Sequence, residues 1–144
     1  MSAPLFVWPI RVYYEDTDVS GVVYHAAYLH YFERARTEWL RALGYSQHRL
    51  HAETGAVFTV AGLEIEYRRP ARLDDALEAT VAVDGNRRAS LNFVQTLRLA
   101  AEPGTVLAQA RVRVACVDAA SFKPRVLPDF LAGGAFRDDN KRPA

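Results

Sequence analysis

Ala26-Ala-Tyr-Leu-His-Tyr-Phe-Glu-Arg-Ala-Arg-Thr-Glu-Trp-Leu-Arg-Ala-Leu43 is the one long helical pattern in this 144-residue chain. Tyr28, Phe32, Ala35, Trp39 and Leu43 recur at three- and four-residue steps and define one apolar face. Glu33, Arg34, Glu38 and Arg41 fall largely elsewhere, and no Pro or Gly interrupts the run. Gly44 follows directly, a residue suited to the left-handed position that ends a helix.

On either side the period changes from helical to alternating. Upstream, Phe6, Trp8, Ile10 and Val12 alternate with Val7, Pro9, Arg11 and Tyr13, which predicts a strand over 6–14. Pro9 cannot donate to a ladder, so this strand is expected to start at an edge or carry a break. Residues 15–25 lose periodicity around Glu15-Asp16-Thr17-Asp18 and Ser20-Gly21 and read as a structured loop. Downstream, strands are expected at 57–68, 76–84, 89–100 and 105–118, with turns at Asp84-Gly85-Asn86 and Glu102-Pro103-Gly104. In the last strand Val106, Ala108, Ala110, Val112, Val114 and Cys116 share a face.

One strand, one long helix and four strands in hairpin succession make an α+β pattern. A sheet with one apolar face must cover it, and only the 26–43 helix is long enough to do so. The expectation is an antiparallel sheet of about five strands wrapped around one long central helix, the hotdog architecture. It forms a single domain over 1–135, and the polar stretch at 136–144 is expected to fray.

Composition narrows the function. Half of the residues are apolar and 24% charged, which describes a globular chain. With 18 basic and 17 acidic residues the formal net charge is +1, so there is no long-range field to grip nucleic acid or an anionic membrane. The single cysteine, Cys116, permits no intrachain disulfide and fits a reducing cytoplasm. The apolar run Leu5 to Trp8, bounded by Pro4 and Pro9, is too short for a signal peptide or a membrane span. Peripheral association with an inner membrane is left open.

The densest cluster of chemically able residues is Tyr14-Glu15-Asp16-Thr17-Asp18, then Gly21, then Tyr24-His25, between a strand and a helix start. Unpaired N–H groups at a helix N-terminus carry partial positive charge and can hold an oxyanion. A carboxylate beside them could attack an acyl carbon or deprotonate a water that does. Gly21 lets the backbone approach a ligand closely. The blander alternative is that the acids before the helix are caps and dipole partners and His25 a surface residue. His25, His30 and Glu33 lack metal-ligand spacing, and Cys116 reads as core packing. Arg68, Arg69 and Arg72 around Pro70, and Arg87 and Arg88 after Gly85-Asn86, suit bidentate phosphate contacts. They can equally be solvated turns.

The run Val12-Tyr-Tyr-Glu-Asp-Thr-Asp-Val-Ser-Gly-Val-Val-Tyr-His-Ala-Ala-Tyr28 resembles the 4-hydroxybenzoyl-CoA thioesterase family, and within it the thioesterases associated with the Tol-Pal system of Gram-negative bacteria. The likeness continues through Tyr31 to Leu40, Glu66 to Asp75, Cys116-Val-Asp118 and Lys123-Pro-Arg125, roughly residues 5–130. The resemblance implies a hotdog fold, hydrolysis of a short- to medium-chain or aromatic acyl-CoA without metal or redox cofactor, and a homotetramer of paired dimers. It implies that Asp18 is nucleophile or general base, that His25 assists, and that backbone amides near Tyr24 and His25 polarise the carbonyl. Gly21, Arg68, Arg87 and Arg88 are then candidates for holding CoA, with Arg125 a further cation near the end of the likeness. Glu33 is a supporting residue. An acylated carrier protein is an alternative donor. Val19-Ser20 and Ala27 depart from the residues common in the family, which leaves the acyl preference open.

Two other classes compete. A hotdog hydratase would carry a Gly-Asp-x-Asn-Pro…His signature, which is absent. A non-catalytic acyl-CoA or acyl-carrier-protein binder at the cell envelope would lack the catalytic carboxylate, and Asp18 is present.

Overall fold

The computed structural model describes residues 5–132, so the tail expected at 136–144 lies outside the described residues. Five antiparallel strands form one sheet: β1 (Phe6–Arg11), β2 (Ala56–Tyr67), β3 (Ala76–Arg87), β4 (Ser90–Leu99) and β5 (Val106–Asp118), in the order β1-β3-β4-β5-β2. The central helix α1 (Ala27–Ala42) covers one face, with α2 (Gln47–Thr54) and α3 (Asp129–Ala132) as short additions.

The helix forms where its apolar stripe predicts. Tyr28, Tyr31, Phe32, Ala35, Trp39 and Leu40 are buried and share one core cluster with Leu77, Val81, Phe93, Leu97, Val112 and Cys116 of the sheet. β5 shows the alternation plainly, since Ala110, Val112 and Val114 are buried while Arg111 and Arg113 are exposed. Cys116 is fully buried, and burial pushes its thiol pKa up.

One polar residue stands in this apolar row. Gln95 is fully buried on the core face of β4. Its amide donates to Phe32 O of α1 (3.1 Å) and Thr80 O of β3 (3.3 Å), and its carbonyl accepts from Arg36 Nη1 (2.8 Å). It therefore ties helix to sheet with no polar atom left unpaired on either side of the amide.

Three expectations need correction. The first strand stops at Arg11 rather than 14, because β3 starts at Ala76, the partner of Arg11. Val12 instead exchanges hydrogen bonds with Asp74 and Asp75. The turn expected at Asp84-Gly85-Asn86 is a bulge. Val83 pairs with Phe93 and Asn86 with Leu91, so Asp84 and Gly85 oppose a single residue, and Gly85 takes φ +90°. The chain actually turns at Arg88–Ala89, between the paired Arg87 and Ser90.

The third correction concerns hairpin succession, which holds for β3-β4-β5 but not for β2 and β3. β2 pairs with β5 and β3 with β1, so residues 68–75 cross from one side of the sheet to the other. Pro70 pushes the residue before it towards extended conformations, which suits a crossing strap better than a tight turn. The strap passes the start of α1, where Ala71 N–H donates to Tyr28 Oη (3.1 Å) and Ala71 O accepts from Val23 N–H (2.8 Å).

Candidate active site

The loop between β1 and α1 is pinned at both ends by one acid. Asp16, which is buried, accepts Tyr13 N–H on its carboxylate (2.9 Å) and Tyr24 N–H on its carbonyl (2.8 Å). Between these pins Thr17 bridges to Val23, Gly21 N–H closes a turn onto Asp18 O (3.0 Å), and Gly21 takes φ +83°. Only a residue without a Cβ adopts that φ without strain. The result is a small projecting hairpin that carries Asp18 at its tip.

Asp18 is exposed, and its carboxylate does not cap the helix. Oδ1 accepts from Ser20 N–H (2.8 Å) and from the Ser20 hydroxyl. The residue preceding α1 is Ala26, which offers no side-chain cap, and no acid stands in the first turn. The capping alternative for Asp18 therefore fails. Its two bonds from Ser20, side chain first and backbone second, hold its pKa below the usual Asp value, and the nearby His25 adds a smaller effect in the same direction. Asp18 is thus a carboxylate across the neutral and mildly acid range.

The helix start beside it is built from aromatics. His25 packs against Tyr24 with the two rings tilted at 54° (4.5 Å between ring centroids) and meets Tyr67 edge-on (6.5 Å). The Tyr67 hydroxyl donates to His25 O (2.7 Å), and its ring meets Tyr28 edge-on (5.0 Å). A strand residue on β2 thereby fixes the first turn of α1. The Tyr24 amide is already engaged by Asp16 O, so it is not open to an incoming carbonyl. Of the amides near Tyr24 and His25 expected to polarise a carbonyl, this leaves the His25 side of the pair as the candidate.

The candidate phosphate-binding residues divide. Gly21 and Arg68 are at the Asp18 end: Arg68 follows Tyr67, donates its N–H to Leu107 O (2.8 Å) and pairs its guanidinium with Glu66 (2.9 Å). Arg72 is there too, bridged to Val22. Arg87 and Arg88 sit at the opposite end, beside Ser90 and the Leu127 N–H that bonds Arg88 O (2.9 Å). On β5, Ala108 pairs with Tyr67 and Ala115 with Ser90, a separation of seven residues or about 23 Å. Arg125, bonded to Asp118 (3.3 Å), belongs to the far end as well. One copy of the chain does not bring the two sets together.

Sequence reasoning missed several members of this site. Ser20 was legible in principle, since Asp-x-Ser is an Asx-turn pattern. Asp16 has near partners, Tyr13 and Tyr24, but nothing in the run of acids singles it out as the loop's lock. Tyr67 and Tyr28 as supports carry no local signal because their partners lie far along the chain. The Asp18 contacts also predict a pH effect. Ser20→Ala removes the larger cause of the depressed pKa and moves the acid limb of kcat/KM upward, towards the ordinary Asp value of about 3.9. Activity should fall selectively at low pH and hold near neutrality, as a pH–rate profile would show.

An ionised carboxylate on a projecting loop, beside a helix start free of side-chain caps and under an antiparallel sheet, defines a thioesterase of the hotdog type. The chain belongs to the thioesterase-like superfamily, whose family model matches residues 12–134. It is 51% identical over 128 residues to the acyl-CoA thioester hydrolase YbgC of Escherichia coli, covering 89% of this chain and 93% of that one. It is 47% identical over 123 residues to the acyl-CoA thioesterase YbgC of Haemophilus influenzae, covering 85% of this chain and 88% of that one. A probable thioesterase from Bartonella henselae superposes with a TM-score of 0.81 at 34% identity, over 87% of this chain and all of the other. Among the described residues no helix is long and apolar enough to cross a membrane.

Proposed function

We infer that this protein hydrolyses acyl-CoA thioesters, with Asp18 activating attack on the thioester carbon. The observation that carries the reading is an ionised Asp18 bound to Ser20 rather than to the helix, beside an α1 N-terminus with no side-chain cap. Asp18 either attacks the carbonyl carbon itself or takes a proton from the water that does. Charge moves to the carbonyl oxygen, which lies against the amide side of the helix start near His25. The C–S bond then breaks and CoA leaves as a thiolate that takes up a proton. On the general-base route the acyl group departs at once as a carboxylate. On the nucleophilic route it stays on Asp18 as a mixed anhydride until water cleaves that bond. Free-thiol release from a panel of acyl-CoA thioesters and one acylated carrier protein tests this. Cleavage of none of them overturns it. Single turnover in ¹⁸O-labelled water tests the nucleophilic route, because label enters the Asp18 carboxylate only when water opens an Asp18–acyl anhydride at the Asp18 carbon.

The same reading calls for a second copy of the chain. β1 is an edge strand blunted by Pro9, whereas β2, the other edge, exposes Val60, Leu63 and Tyr67. Two β2 edges paired antiparallel extend the sheet across a two-fold axis. The Tyr67 end of one copy then lies beside the Ala56 end of the other, and the partner's arginine-bearing end approaches Asp18. This arrangement reunites the two arginine sets on one CoA, and pairing of such dimers yields the tetramer. Sedimentation should show a dimer or larger species at micromolar concentration; a folded monomer contradicts the arrangement.

A further inference from the structure

Between α1 and strands β2, β4 and β5 lies a cavity of about 160 Å³. It is separate from the Asp18 loop. Its floor is Trp39, Leu91, Phe93 and Val114, all buried, and its lip includes the exposed Glu33 and Val60. Trp39 closes the floor, its ring edge-on to Phe93 with centroids 5.1 Å apart and planes at 87°. An apolar recess with a partly polar rim holds an apolar group that enters end-on and carries its polar part outside.

Given the thioesterase reading, on which this inference rests, we propose that the cavity takes the distal end of the acyl chain and that Trp39 sets the longest chain that fits. Within one copy, Glu33 lies eight residues along α1 from His25, about 12 Å. A chain held at that copy's own Asp18 would have to cover this distance before reaching the lip. Antiparallel pairing of two β2 edges would bring the Tyr67 end of one copy, and with it His25, towards the Phe58–Val60 segment of the other, so that the partner's thioester would deliver its acyl chain over Val60. Asp18 of one copy and Trp39 of the other then belong to one site. A short alkyl chain fits a recess of this size, and a longer one meets the Trp39 ring.

The test compares kcat/KM from butyryl- to dodecanoyl-CoA for the wild type, Trp39→Leu and Val60→Phe. The wild type should lose at least about tenfold between hexanoyl and decanoyl. Trp39→Leu deepens the recess and should shift the fall to chains at least two carbons longer. Val60→Phe narrows the lip from an exposed strand position that accepts aromatics, and should lower hexanoyl relative to butyryl. Val60→Phe therefore keeps the proposal falsifiable even where Trp39→Leu is poorly folded. Thioester cleavage with superimposable chain-length profiles for all folded proteins overturns the cavity assignment alone. No cleavage by the wild type overturns the thioesterase reading and this inference together.

Discussion

Asp18→Asn should lower kcat for thioester hydrolysis by about a thousandfold while KM for acyl-CoA changes little. Positioned general-base or nucleophilic groups contribute on the order of 10²–10⁴ in rate, and a thousandfold corresponds to about 4 kcal/mol of transition-state stabilisation. The substitution is nearly isosteric, and the Asn carbonyl can still accept the Ser20 N–H that now bonds Oδ1 at 2.8 Å. The loop is held by Asp16, Gly21 and the Thr17–Val23 bridge, none of which the change touches. The loss should therefore appear in the chemical step, with the melting temperature and oligomer size unchanged. A variant that melts early would show that Asp18 serves the fold instead.

The second large effect concerns stability. Gln95→Leu should cost about 2–4 kcal/mol, measured as a shift in denaturant midpoint. It removes the Gln95 acceptor of the half-buried Arg36 guanidinium and leaves Phe32 O and Thr80 O without the Gln95 donor. Burial already lowers the Arg36 pKa, a sign that its charge is poorly solvated there. Adding Arg36→Met should recover part of the loss, because both ends of the buried contact are then apolar. The double-mutant cycle would show a coupling well beyond the few tenths of a kcal/mol typical of independent sites. Additive losses would mean that Gln95 acts through packing alone.

Much of the architecture was legible because periodicity carries it. The 26–43 stripe needed only counting, and the structure places α1 at Ala27–Ala42. The alternation of β5 likewise reads directly as one buried and one exposed face. α2 was harder: only Leu50 of its residues is buried, so no stripe marks it, although Ser46 and Gly55 bracket it as N-cap and left-handed C-cap. Gly85 misled, since a positive φ serves a bulge as well as a turn and local sequence does not choose between them.

The site divides in the same way. Asp18, Gly21, Tyr24 and His25 are contiguous, so a sequence can display them together. What fixes them is not contiguous: Tyr67 reaches His25 across 42 positions and Ala71 reaches Tyr28 across 43. The arginines show the reverse error. Arg68 and Arg87 looked equivalent as loop cations, yet the strand ladder puts them at opposite ends of the sheet.

The role proposed for Asp18 is to drive thioester cleavage at this helix start. The most direct measurement is single-turnover thiol release from a pre-bound acyl-CoA, for the wild type and Asp18→Asn, with bound thioester quantified in the same samples. Both proteins should bind the thioester, and only the wild type should release CoA at an appreciable rate. Equal release by the two proteins would contradict it.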